Sequence, residues 1–168
     1  MSPLIGDFEQ AFIDRLSPVL AVDGIAIPVD PYPDAPEQYQ LTHPVGQVLV
    51  RYAGAQRAEG TGKRTLTMDI VIMATSLRQV GGQSGAHELI DATEITLEGW
   101  RPPGAAGPVA VQANEFVIEA NGVWTWSVRV IFPVIRPHPE PDPGPLLRRI
   151  ITHTTSGRTV RDVHKELP

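Results

Sequence analysis

The chain contains no cysteine, so neither a disulfide framework nor a thiolate metal site can form. It has no apolar run near the roughly 18 residues needed to cross a bilayer. Its first residues lack a basic stretch followed by an apolar one, so no signal peptide is expected and synthesis in the cytoplasm is the default. A basic excess is also missing. The formal net charge is −5, which argues against general affinity for nucleic acid, because a basic face is what displaces counterions from phosphate.

What is present is enough for one domain. The chain has 168 residues and is 42% hydrophobic, so it can bury a core of ordinary size. Its 17 prolines cluster at 28–36, 102–108 and 133–145. Each proline fixes φ and removes a backbone donor, so each cluster interrupts regular structure and divides the chain into segments.

Residues 2–20 predict a helix. Ser2 suits the N-cap and Pro3 the first helical position, while Leu4, Ile5, Phe8, Phe12, Leu16, Val19 and Leu20 form a stripe at spacings of three or four. Pro18 ends or bends the last turn. Ile25, Ile27 and Val29 alternate, which predicts a short strand. Residues 30–45 predict a long ordered loop, pinned by Tyr32, Tyr39 and Leu41; loops of that length in compact domains tend to be functional or interfacial.

Residues 46–55 predict a strand with Val48, Val50 and Tyr52 on one face. Residues 64–75 predict a second, in which Leu66, Met68, Ile70 and Ile72 alternate with Thr65, Thr67, Asp69 and Val71. The polar stretch 57–63 makes the pair a hairpin with a glycine-bearing tip. A second helix is predicted over 84–98, with Ser84 as its N-cap and Gly99 as its left-handed C-terminal residue. Residues 109–119 and 123–134 predict another hairpin around Asn121-Gly122, a strong signal because both residues tolerate positive φ. Trp124, Trp126, Val128, Val130 and Phe132 then share one face, with the two tryptophans assigned to the core; Trp100, in a proline-flanked loop, is read as a core plug, with an interface anchor as the alternative.

The order helix, weak strand, hairpin, helix, hairpin predicts an α+β fold. An antiparallel sheet of four to five strands carries two helices packed on one face, with an extended C-terminal arm. The domain is expected over 1–134. Residues 135–168 read as a Pro-rich linker and arm. This segment holds six Lys/Arg and four Asp/Glu, a net of +2, whereas the rest holds eight and fifteen, a net of −7. An acidic body with a basic arm suits contact with an acidic neighbour; a disordered terminus is the alternative reading of the same segment.

Motifs for chemistry are wanting. Gly60-Thr61-Gly62-Lys63 precedes a strand instead of opening a helix, so it lacks the geometry that cradles phosphate. Gly82-Gln83-Ser84-Gly85 departs from the G-x-S-x-G elbow by placing glycine directly after serine. His43, His87, His138, His153 and His164 show no H-x-x-x-H spacing. His87 and Asp91 stand one helical turn apart, as a surface pair. Glu94 and Glu98 share a helix face that reads as solvated. No catalytic, cofactor-binding or metal-ligating residue is assigned.

Three segments resemble a family of Mu-like prophage tail proteins. They are Tyr32-Pro33-Asp34-Ala35-Pro36-Glu37-Gln38-Tyr39 running through Leu41-Thr42-His43-Pro44-Val45-Gly46 to Val48-Leu49-Val50-Arg51-Tyr52-Ala53-Gly54; Leu97-Glu98-Gly99-Trp100-Arg101-Pro102-Pro103-Gly104; and Asn121-Gly122-Val123-Trp124-Thr125-Trp126. The likeness covers roughly 2–134. The resemblance implies a virion protein without catalytic residues, the tail terminator of a contractile-tailed phage or related particle. Such a protein forms a homo-oligomeric ring, usually a hexamer, that binds the tail tube protein, stops polymerisation and meets the sheath protein or head–tail connector.

Capping a polymer needs complementary surfaces and no reactivity. The expected contacts are the loop 32–43, the hairpin tip 56–63 and the arm after Pro145. The candidate interface residues are Tyr32, Tyr39, His43, Arg51, Arg57, Lys63, Arg101, Arg148, Arg149 and Arg158. The alternatives are another head–tail connector or baseplate subunit of the same particle, and a small α+β enzyme or ligand-binding domain.

Overall fold

The structure is a computed structural model that describes residues 5–22, 25–57, 62–77 and 85–135. Its elements in chain order are α1 (Ile5–Leu16), β1 (Ala21–Val22), β2 (Ile25–Ala26), β3 (Val29–Pro31), a 3-10 turn (Pro36–Gln38), β4 (Gly46–Arg57), β5 (Lys63–Ala74), α2 (Ala86–Leu97), β6 (Ala110–Ala120) and β7 (Val123–Ile135). Strands β3-β4-β5-β7-β6 form one five-stranded sheet in that order, and β1 and β2 make a separate two-stranded ribbon. The fold is α+β, with both helices on one face.

The alternation read from β4, β5 and β7 decides which face meets the helices. Val48, Val50, Leu66, Met68, Ile70, Ile72, Val128, Val130 and Phe132 are all buried on it, and cross-strand register keeps them in rows such as Val50, Ile70 and Val128. Helix α1 lies over β3 and β4, and α2 over β5, β6 and β7. From α1, Phe8 and Phe12 meet the ring of Phe132 at centroid distances of 5.0 and 5.6 Å. Burying each such side chain contributes about 1.5–3 kcal/mol, so the α1 stripe is a principal anchor of the layer.

One strand departs from the antiparallel expectation. Strand β3 pairs with β4 in parallel, Val29 to Val48 and Pro31 to Val50, so the sheet is mixed. The predicted strand through Ile25, Ile27 and Val29 is in fact two pieces, because Pro28 interrupts it: β2 turns back on β1 and β3 joins the main sheet. Parallel pairing also accounts for the loop that follows. Parallel neighbours cannot be joined by a tight hairpin and need a return connection of about a dozen residues, and the segment 32–45 makes that return.

Helix boundaries moved as well. Helix α1 ends at Leu16, with Ser17 and Pro18 in the following turn; Ser2 and Pro3 lie outside the described residues. The N-cap of α2 is Gly85, in extended conformation and without a side-chain cap, so the assignment to Ser84, itself outside the described residues, is corrected. Gly99 takes φ +74° after α2, and Asn121 and Gly122 take φ +54° and +77° between β6 and β7, as their types predict.

Trp100 packs edge-on against Phe12 at 5.1 Å and adjoins the core. Trp126 also adjoins the core, but Trp124 is only half-buried and packs instead on Phe116 at 6.0 Å. The core assignment of Trp124 is therefore corrected: it lies beside the Asn121-Gly122 turn, opposite Ala74, the last residue of β5.

Candidate assembly surface

The loop 32–45 is fastened at both ends by bonds its sequence supplies. At the start, the Tyr32 N–H donates to Val50 O at 2.8 Å, and the Arg51 guanidinium lies 5.2 Å from the centre of the Tyr32 ring. Gln47 Nε2 donates to the Asp30 carboxylate at 2.7 Å. At the end, Nδ1 of His43 accepts the amides of Val45 and Gly46 at 3.4 and 3.3 Å. The Thr75 hydroxyl donates to Pro44 O at 2.9 Å. Tyr39 is half-buried; burial first and the charge of Asp30 second push its phenol above its ordinary pKa.

The face of the sheet turned away from the helices carries a charged row. Arg51 of β4, Asp69 of β5 and Arg129 of β7 stand directly opposite one another. Asp69 is 0% exposed and accepts Arg51 Nη2 at 2.6 Å and Arg129 Nε at 2.9 Å. Burial acts to raise the carboxyl pKa, but hydrogen bonds and charges from the two arginines outweigh it and hold Asp69 below the usual value. Nothing in the alternation of β5 marked Asp69 as buried. Arg51, one of the candidate interface residues, has an ion-pair partner within its own sheet.

The other candidates scatter. Arg57 and Lys63 are exposed at the ends of the β4–β5 hairpin, beside Arg64; residues 58–61 of its tip lie outside the described residues. Arg101 Nε donates to Ala105 O at 2.9 Å and closes the 101–105 turn. Arg148, Arg149, Arg158 and the whole arm 136–168 lie outside the described residues. Tyr32 and Arg51 thus meet, with Tyr39 near Asp30 beside them, while Arg57, Lys63 and Arg101 do not join that group. His87 meets Trp126 edge-on at 6.1 Å.

What sequence reasoning missed is the character of β6. This strand closes one side of the sheet, and no described strand pairs with its outer edge. Phe116, Val117 and Ile118 are consecutive and 49%, 55% and 53% exposed. Glu94 accepts Asn114 Nδ2 at 2.6 Å and Glu98 accepts the Val111 N–H at 2.7 Å. These glutamates are therefore tied to the sheet, in contrast to the solvated face expected of them. The signal available was the run Glu115-Phe116-Val117-Ile118-Glu119, whose three adjacent apolar residues cannot all face one core.

Among the described residues no group of three or more His, Asp or Glu is placed to hold a metal ion, and no helix is long and apolar enough to cross a membrane. The family model for the Gp37 protein matches residues 18–153. The chain belongs to the Gp37 protein family. That family is phage-related and points to a phage structural protein. The Gp37 match begins near the end of α1 and takes in the whole sheet and α2. No curated protein matches the chain.

Proposed function

We propose that this protein is a tail terminator: a ring, usually of six copies, that caps the tail tube, halts its polymerisation and offers its far surface to the sheath protein or head connector. The observation that carries the reading is the Gp37 family match over 18–153, which takes in the fold's sheet and second helix. The fold supports it in kind. A small two-layer body with one apolar core face leaves its sheet edges and loops for contacts, and a cap needs one surface that fits the last tube layer and another that refuses the next. The output is geometric, with no reacting group assigned.

Deleting the gene tests this. Particles lacking the protein should carry overlong tails or tails without heads, seen by electron microscopy. Tails of normal length would refute a terminator and leave a connector or baseplate role within the same particle.

A further inference from the structure

The two side edges of the main sheet are unlike each other and complementary. On one side β6 offers an unpaired edge from Ala113 onward, beyond the point where Glu98 ties the Val111 amide. Its exposed side chains are apolar at Phe116, Val117 and Ile118 and acidic at Glu115 and Glu119, and the strand holds no Lys, Arg or Pro. Those are residues that usually blunt an edge against pairing; β6 carries instead two register shifts, at Gln112 and at Val117, which bend it locally. On the other side β3 covers β4 only along Val48 to Val50, and Glu9 accepts the Tyr52 N–H at 2.9 Å. Beyond that, residues 54–57 of β4 pair with β5 on one side and have no described strand on their outer edge.

The open part of β4 is basic where β6 is acidic. Arg57 lies at its end, and Lys63 and Arg64 begin the strand next to it.

We infer that β6 of one copy pairs with the open half of β4 of the next, so that the sheets run on from copy to copy through a head-to-tail contact. A contact that joins unlike edges is heterologous, and it closes into a ring when the rotation between copies divides a full turn. Backbone pairing supplies the main-chain bonds that β6 lacks, Glu115 and Glu119 approach Arg57, Lys63 and Arg64, and Phe116, Val117 and Ile118 leave water. This contact rests on the ring reading proposed above.

Two double variants of the full chain test it, each changing exposed residues: Val117→Lys with Ile118→Lys on β6, and Arg57→Glu with Lys63→Glu on the β4 side. Light scattering coupled to size exclusion reads the mass, and circular dichroism verifies that each variant folds as the parent does. The parent should run as a ring, and each variant alone as the 18.3 kDa monomer. An equimolar mixture should give a species of two chains and no larger, because one intact edge of each kind remains. Since the chain has no cysteine, Val117→Cys combined with Gln56→Cys should also yield an oxidative ladder up to the size of the ring.

A β4-side variant that still assembles while the β6 variant does not would overturn the head-to-tail pairing. A parent ring indifferent to both variants would overturn the strand contact and leave the ring reading standing. A parent that stays monomeric at every concentration would remove both.

Discussion

Removing both arginines from the row Arg51, Asp69, Arg129 should cost far more than the two single removals together. The carboxylate of Asp69 is buried, whereas the side chains of Arg51 and Arg129 are 45% and 43% exposed. The guanidinium groups therefore keep much of their hydration and lose little by being left alone. Asp69 has no such recourse. With one arginine gone, it retains a charged donor at 2.6 or 2.9 Å, and the loss is one charge-assisted hydrogen bond with a partly wet partner, about 1 kcal/mol. With both gone, a buried carboxylate stands unpaired, a situation that costs about 3–5 kcal/mol. Arg51→Ala with Arg129→Ala should thus exceed the sum of its singles by roughly 2 kcal/mol.

Urea unfolding at neutral pH with a common slope for all four proteins measures this. An additive double variant, within about 0.5 kcal/mol, would refute the claim that burial of Asp69 is what couples the pair. The pH dependence gives a second reading with a definite sign. In the parent, the folded pKa of Asp69 is below its ordinary value of 3.8. Its contribution is therefore present above that value and lost as pH falls through the folded pKa. In the double variant only burial remains to act on the carboxyl, which raises its folded pKa. The sign inverts, and the protein should gain stability on acidification toward the raised pKa, where the parent gains none from this group.

Gly46→Ala should destabilise the fold by about 1–3 kcal/mol, because its Cβ would fall 2.6 Å from the carbonyl oxygen of Met73; an unchanged melting temperature would show that β4 and β5 separate freely there. Glu9→Ala frees the Tyr52 amide that Glu9 accepts at 2.9 Å and should cost about 1 kcal/mol, with faster hydrogen exchange at Tyr52 as the local readout. A chain truncated at Pro139 should remain folded and soluble yet assemble less well, read by circular dichroism and particle incorporation; aggregation would place the removed segment in the core.

The fold was legible where side-chain period carries it. Alternation in β4, β5 and β7, the stripe on α1 and the Asn121-Gly122 turn each state a local geometry, and each element formed within a few residues of its expected bounds. Pairing partners of short strands were not legible. Val29-Asp30-Pro31 gives no periodicity with which to choose a parallel neighbour, and that choice turned the antiparallel sheet into a mixed one. The assembly surface was read least well, because exposure is decided by which strand lies at the edge. Phe116, Val117 and Ile118 look like core residues in any list of side chains; only the order β5-β7-β6 puts them at the boundary.

The buried charge of Asp69 also answers a question that the apolar alternation leaves open. A slip of one residue between β4 and β5 turns every core side chain outward and is excluded by burial alone. A slip of two residues is not. It exchanges Val48 on Ile72 and Val50 on Ile70 for Val48 on Ile70 and Val50 on Met68, contacts of nearly equal worth. On β7 the same step trades one apolar partner for another along Val128, Val130 and Phe132. The outer row breaks this degeneracy. A two-residue slip of β4 sets Arg51 opposite Thr67 or Val71, and a slip of β7 sets Asp69 opposite Ser127 or Ile131. Each takes one arginine from opposite a buried carboxylate, and both together carry the several-kcal/mol penalty worked out above. Long strands rich in interchangeable β-branched residues thus gain a further constraint on register from one aspartate, on the outer face where Leu49 and Val71 are also buried and paired.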